Sequence, residues 1–183
     1  MESRAANVKH PRTHARIGWV ARAWLAEECS STDQASVLSL TTLGTPNVEP
    51  GEEAGPWAKV DQTRGLLKNI NTRFPGAHVG SVSYTSVVGT AVQGKFPGSL
   101  EEMLAFVSYL PLSGDGTASG DGIIPRDIAV LEGSDVVELP SCKHSAGFVP
   151  FPGKAIDLGD DYFWYGSPSL LDEWIKNLEE AER

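Results

Sequence analysis

Apolar residues along the chain recur with two alternating periods, one typical of helices and one typical of strands. The first clear helical pattern begins at Ile17 and fades near Glu28, where the chain becomes charged and polar. The apolar face of this segment consists of Ile17, Val20, Ala21, Trp24 and Leu25. The spacing predicts an amphipathic helix that buries this face against a core.

Three segments have the β-rich, apolar pattern of strands, and Gly or Pro follows each of them closely. They are residues 37–43, 82–88 and 136–139. In a parallel sheet, functional groups gather in the loops just beyond the carboxyl ends of the strands. The turns after Leu43, Val88 and Leu139 are therefore the first places to look for chemistry.

Helical patterns separate and follow the predicted strands, near residues 63–72, after Ser99 and after Ser167. Ser99 and Glu102 have the spacing of a capping box, in which each side chain bonds the backbone of the other residue. Strands that alternate with helices predict an α/β fold with a mostly parallel sheet. Residues 1–12 have no usable periodicity and are expected to form an unstructured stub before this domain.

Composition and charge exclude several classes of function. The net charge of -9 provides no basic surplus to neutralise phosphates, so we expect no nucleic-acid partner. No apolar run reaches the roughly 18 residues of a transmembrane helix, and the N-terminus lacks the apolar stretch of a secretory signal. Only the first sixteen residues are basic, which leaves open a frayed terminus or a short organelle-targeting segment. The expected compartment is the cytoplasm or the chloroplast.

His144 is the best single candidate for chemistry, because it follows a predicted strand in a loop of small residues. A loop histidine can accept and return a proton near neutral pH, although a plain surface histidine is an equally good interpretation of the pattern alone. Asp121 and Asp115 both lie in Asp-Gly turns upstream, and either carboxylate could orient the imidazole. Neither has the ligand spacing of a calcium loop. The two cysteines, Cys29 and Cys142, form no zinc motif, so no cofactor is expected.

Three segments around these residues resemble the C-terminal part of plant-type α/β-hydrolases of the lipase and esterase type. They are GDGIIP at 120–125, VVELPSCKHS at 136–145 and WYGSPSLLDEW at 164–174. The resemblance implies that Asp121 is the catalytic acid and His144 the catalytic histidine, in the chain order of that family. It also implies an acyl ester or lipid as substrate. The turn LGTPN at 43–47 is similar to the family's LGTPH turn, with Asn47 where histidine is common.

The segment IGWVARAWLAEE resembles the helix that directly follows the nucleophile elbow GHS-x-GG in that family. Matching the elbow onto residues 13–18 retains His14 and Gly18 and puts Ala15 at the position of the nucleophilic serine. Thr13 and Ile17 replace the glycines that the strained elbow requires. No other nucleophile is an obvious substitute. The residues considered for that role are Ser30, Ser31, Ser39, Cys142 and Ser145.

The resemblance therefore implies a partial α/β-hydrolase fold over residues 13–183. It would contain the helix after the elbow and strands six to eight, with the first five strands and the oxyanion-hole loop missing. Such a sheet would expose its sixth-strand edge at residues 37–43, where another chain could associate. We expect an inactive hydrolase domain. Two alternatives remain open: an active esterase whose true N-terminus differs from this one, and a non-catalytic module that binds a lipid or a partner.

Overall fold

The computed structural model describes residues 12–14, 18–59, 65–145 and 162–181. Within them, four parallel strands form one sheet in the order β1-β2-β3-β6. These strands are β1 (Arg12–His14), β2 (Ser39–Leu43), β3 (Ser83–Gly89) and β6 (Asp135–Leu139). A short antiparallel ribbon joins β4 (Val92–Gln93) to β5 (Ser119–Gly120). The predicted α/β architecture with a mostly parallel sheet is confirmed.

The predicted open edge at residues 37–43 is wrong for its last three residues. Strand β1 pairs in parallel with Thr41–Leu43 of β2, with His14 opposite Leu43, so this part of β2 has neighbouring strands on both sides. The three residues of β1 carry no strand pattern of their own. Arg12, assigned to the stub by sequence, lies in this strand. The rest of the predicted stub, residues 1–11, lies outside the described residues.

Helices cover both faces of the sheet. The helices are α1 (Gly18–Ala23), extended by a π-helical turn at Trp24–Glu28, α2 (Ser31–Gln34), α3 (Leu66–Arg73), α4 (Leu100–Ser113), α5 (Arg126–Ala129) and α6 (Pro168–Ala181). A 3₁₀ segment spans Glu52–Lys59. Each helix in the described part of the chain is too short or too polar to cross a lipid bilayer.

Side chains of β2 and β3 point alternately to the two faces of the sheet. Leu40 and Tyr84 pack with Leu25 in the core beneath α1. Their neighbours Leu43 and Val87 point the other way and pack with residues of α6. A period of two along each strand thus gives the sheet two apolar faces, each covered by a helix. The loops beyond the carboxyl ends of the strands are left to carry polar groups.

The sequence signals for helix ends match the structure. The capping box is formed, since Ser99 Oγ accepts the N–H of Glu102 and Glu102 accepts the N–H of Ser99. Helix α4 ends at Gly114, whose φ of 75° is left-handed and therefore suits glycine. Pro168 opens α6 directly after Ser167, as predicted, and Trp174 of this helix is 3% exposed.

The buried face of α1 matches the predicted one at Ala21 and Leu25 but differs elsewhere, and the predicted Ile17 lies outside the described residues. Val20 and Trp24 are partly exposed, whereas Ala21, Arg22 and Leu25 face the core together with Gly18. The predicted apolar stripe lay one position away from the face that is buried. Arg22 is charged, so a pattern of apolar residues does not include it.

Arg22 is fully buried, and the side-chain amide of Asn71 connects it to the carboxylate of Glu49. Its guanidinium donates to Asn71 Oδ1 at 3.0 Å, while Asn71 Nδ2 donates to the Glu49 carboxylate and to the Asn47 carbonyl. Burial lowers the pKa of Arg22, but a guanidinium stays charged in proteins. A buried charge needs such partners, because leaving water costs it several kcal/mol. Asn71 therefore connects α1, α3 and the loop after β2.

Asn71→Leu is expected to lower the free energy of unfolding by about 2–3 kcal/mol, because Arg22 and Glu49 lose their shared partner. Urea denaturation measures this loss. Thr72→Ala is the matched control, since the Thr72 hydroxyl lies on the exposed side of the same helix and bonds only Lys68 O within it. We expect the control to stay within about 0.5 kcal/mol of the parent protein. Equal losses in both variants would show that the relay contributes nothing specific.

Candidate functional site

The polar groups of interest lie where the strands of the parallel sheet end. Gly44 follows β2, Gly89 ends β3, and His144 comes five residues after β6. Asp121 directly follows the short ribbon strand β5. The fold thus brings Asp121 and His144, 23 residues apart in the chain, to the same edge of the sheet.

Asp121 is buried, with 2% of its surface exposed, and its own loop holds half of its carboxylate. Its Oδ1 accepts the backbone N–H groups of Ile123 at 3.0 Å and Ile124 at 2.8 Å. The tight turn is possible because Gly122 adopts a left-handed φ of 97°. The GDGIIP sequence therefore forms a small cradle that orients its own acid.

His144 pairs with the other carboxylate oxygen. Its Nδ1 lies 2.7 Å from Asp121 Oδ2, and its backbone N–H donates to the Asp121 carbonyl at 2.9 Å. The ionised carboxylate only accepts hydrogen bonds, so Nδ1 carries the proton in this pair and Nε2 is the nitrogen that can take up another. The His144 side chain is 13% exposed. This arrangement is that of a general base with its orienting acid.

The structure also settles which of the two aspartates lies beside the histidine. Asp115 is in an exposed turn, where its Oδ1 accepts the N–H and the hydroxyl of Thr117, both at 2.7 Å. These bonds lower the pKa of Asp115. A turn-forming role accounts for this residue, and Asp121 is the acid that meets His144.

Two tyrosines that sequence reasoning missed brace the acid loop. The Tyr165 hydroxyl lies 2.9 Å from Asp121 Oδ2 and accepts the N–H of Gly89 at 2.9 Å. The Tyr109 hydroxyl accepts the N–H of Gly122 at 2.7 Å and donates to a backbone carbonyl of β4. Burial raises the pKa of both phenols, so both stay protonated. Tyr165 belongs to an aromatic group that sequence alone could place only in an acyl pocket or over the sheet end, and nothing local singles out Tyr109.

Two glycines allow this close packing. A Cβ at Gly44, whose φ is 51°, would lie 2.5 Å from Asp121 Oδ2 and 2.7 Å from the Tyr165 hydroxyl. A Cβ at Gly89 would meet the carbonyl of Cys142 at 2.3 Å and Asp121 Cβ at 2.9 Å. Both positions therefore exclude a side chain: the Asp121 carboxylate and the Tyr165 ring occupy the space at Gly44, and the backbone carbonyl of Cys142 occupies it at Gly89.

The predicted nucleophile position, Ala15, lies outside the described residues. Its flanks are described: β1 ends at His14 and α1 begins at Gly18. A Cβ at Gly18 would lie 2.5 Å from the Thr45 side chain, which shows how closely α1 approaches the loop after β2.

The other hydroxyl and thiol groups considered for attack have structural roles or are buried. Ser30 caps α2 by accepting the N–H of Asp33, and Ser31 begins that helix. Ser39 is buried in β2. Cys142 is fully buried, as predicted, and burial raises the pKa of its thiol. Ser145 is half-buried next to His144.

Among the described residues, no group of three or more His, Cys, Asp or Glu side chains is arranged to hold a metal ion. Asn47, at the position where the resembling family often has histidine, is buried and donates to the carbonyls of Thr45 and Ala129. It therefore ties the loop after β2 to α5.

Comparisons with known proteins return nothing for this chain: no family model matches the sequence, and neither a curated protein nor a solved structure matches it. The proposed function therefore rests on the pair formed by His144 and Asp121 and on the fold around it.

Gly44→Ala is expected to break the pair between Asp121 and His144, because the added Cβ would occupy the position of the carboxylate. The low-field proton NMR signal of His144 Nδ1–H should disappear in this variant. Gly65→Ala is the matched control: its φ of 84° gives comparable left-handed strain, but among the described residues no atom beyond its chain neighbours lies within 4 Å of the added Cβ. Loss of the signal in both variants, or in neither, would contradict the close approach at Gly44.

Proposed function

We propose that this chain is an α/β-hydrolase domain that retains the acid and histidine of a serine esterase but has lost its nucleophile. The observation that carries the proposal is the 2.7 Å contact between His144 Nδ1 and the buried Asp121 carboxylate at the carboxyl edge of a parallel sheet. In such a domain, the parent reaction is the hydrolysis of an acyl ester or lipid.

The order and direction of the strands support this proposal. Four parallel strands lie side by side, and the helix that follows β1 begins after only three residues. A nucleophile elbow lies between a strand and the helix that follows it, at the carboxyl edge of the sheet, and the spacing of β1 and α1 is compatible with one. The acid and the histidine then follow in the chain order expected for the fold, with Asp121 before His144.

The chemistry of the pair is that of proton transfer. In an intact triad, the histidine takes the proton of the serine hydroxyl as the oxygen attacks the substrate carbonyl, and it returns the proton to the leaving group. His144 and Asp121 are arranged for these transfers, but Ala15 has no hydroxyl to attack. Loss of the attacking serine alone costs on the order of 10⁶ in turnover. The domain is therefore expected not to form an acyl-enzyme.

The purified chain should hydrolyse p-nitrophenyl butyrate no faster than its His144→Ala variant, within about twofold, because proton transfer without a nucleophile gives little acceleration. A stopped spectrophotometric assay at neutral pH measures both. Activity that disappears with His144 would mean that another residue attacks the ester, and the proposal would fail.

A restored elbow tests the placement of the lost nucleophile. The variant Thr13→Gly/Ala15→Ser/Ile17→Gly should react with a fluorophosphonate reagent, with the adduct found at position 15 by mass spectrometry. The same variant with Ala kept at position 15 is the matched control, and addition of His144→Ala should suppress the labelling by at least tenfold. If no adduct forms at position 15, or if His144→Ala leaves the labelling unchanged, residues 13–18 are not an elbow.

A further inference from the structure

The Tyr165 hydroxyl connects the end of β3 to the acid of the candidate pair. We propose that Tyr165 is a positioning residue, which holds Asp121 Oδ2 in the orientation that His144 requires. This inference rests on the proposed function, since it assigns a role within the same pair. It concerns a side chain that contacts the acid and is argued to act only through it.

The direction of the hydrogen bonds is determined by counting protons. A phenol has one proton, and the Tyr165 oxygen already accepts the N–H of Gly89 at 2.9 Å. The hydroxyl donates its proton to Asp121 Oδ2 at 2.9 Å. The carboxylate can only accept when ionised, which agrees with this direction.

The four donors saturate the carboxylate of Asp121. Two backbone N–H groups, from Ile123 and Ile124, hold Oδ1, while His144 and Tyr165 share Oδ2. The donors to Oδ1 alone leave the plane of the carboxylate free to tilt about the bond to Cβ. The Tyr165 hydroxyl gives Asp121 Oδ2 a second donor besides His144. Oδ2 therefore stays in place while the imidazole of His144 exchanges protons.

The packing of Tyr165 is separable from its hydroxyl group. Its ring lies in an apolar cluster with Val87, Leu139, Leu170 and Trp174. Trp174 donates its indole N–H to the backbone carbonyl of Tyr165, which also remains when the side chain changes. Phenylalanine would keep both of these features. Tyr165→Phe therefore removes the bridge and little else.

The first test is proton NMR of the chain labelled with ¹⁵N-histidine. The low-field His144 Nδ1–H signal, identified by its loss in Asp121→Ala, should exchange with water at least tenfold faster in Tyr165→Phe. Tyr84→Phe is the matched control, because Tyr84 is also buried but lies in the core beneath α1. An unchanged exchange rate in Tyr165→Phe, or the same change in Tyr84→Phe, would overturn the positioning role.

A second measurement keeps the test decisive if Tyr165→Phe fails to fold. Site-specific 3-fluorotyrosine at position 165 retains the ring and the hydroxyl but makes the phenol a stronger donor. Competition for Oδ2 should then weaken the bond to His144 and move its Nδ1–H signal upfield. A signal that does not move would overturn the proposal.

A third measurement separates this inference from the proposed function. In the restored-elbow variant, Tyr165→Phe should slow fluorophosphonate labelling by about 10–100-fold, the range typical of residues that orient a functional group. If the restored elbow is not labelled but the NMR effect of Tyr165→Phe is present, the proposed hydrolase ancestry fails and the positioning role stands. If labelling occurs and the hydroxyl has no effect on it or on the NMR signal, only the positioning role fails.

Discussion

The buried carboxylate of Asp121 is the constraint on which the organisation of this edge of the sheet depends. An ionised carboxylate out of water is stable only when it is fully hydrogen-bonded. Its four donors come from its own loop, from the loop after β6 and from the segment that leads into α6. Meeting this demand brings three distant parts of the chain together. It also explains why Gly44 borders the acid, since a Cβ there would lie 2.5 Å from Asp121 Oδ2.

A second buried charge organises the sheet face under α1 in a different way. Arg22 has no carboxylate in direct contact among its described hydrogen bonds, and Asn71 relays its charge to Glu49. An amide is suited to this task, because it accepts on one atom and donates on another. The domain thus holds a buried carboxylate with four donors at one site and a buried guanidinium linked through one amide to a carboxylate at another. The first arrangement joins loops at the edge of the sheet, whereas the second connects helices.

The chain has a histidine paired with an acid, but an alanine at the position that resemblance gives to the attacking serine. The histidine and its acid are in hydrogen-bond contact at the carboxyl edge of a parallel sheet. The residue that resemblance puts at the attacking position is Ala15. Proton transfer and nucleophilic attack are separable parts of one mechanism. A chain can therefore retain the geometry of the first part without the second.

Local pattern by itself determined the three main strands, the capped start of α4 and the start of α6, because each depends on neighbours within a few residues. The resemblance in sequence named Asp121 and His144, yet the choice between Asp121 and Asp115 required the distance to the imidazole. Tertiary structure alone decided that β1 covers β2, that Arg22 rather than Trp24 faces the core, and that Tyr165 holds the acid. These features arise from contacts between residues 20 to 80 positions apart, on the order of the separations seen in the hydrogen bonds of Arg22 and Tyr165. Periodicity carries no information about such contacts, since a buried charge or a bridging hydroxyl looks the same in sequence as a solvated one.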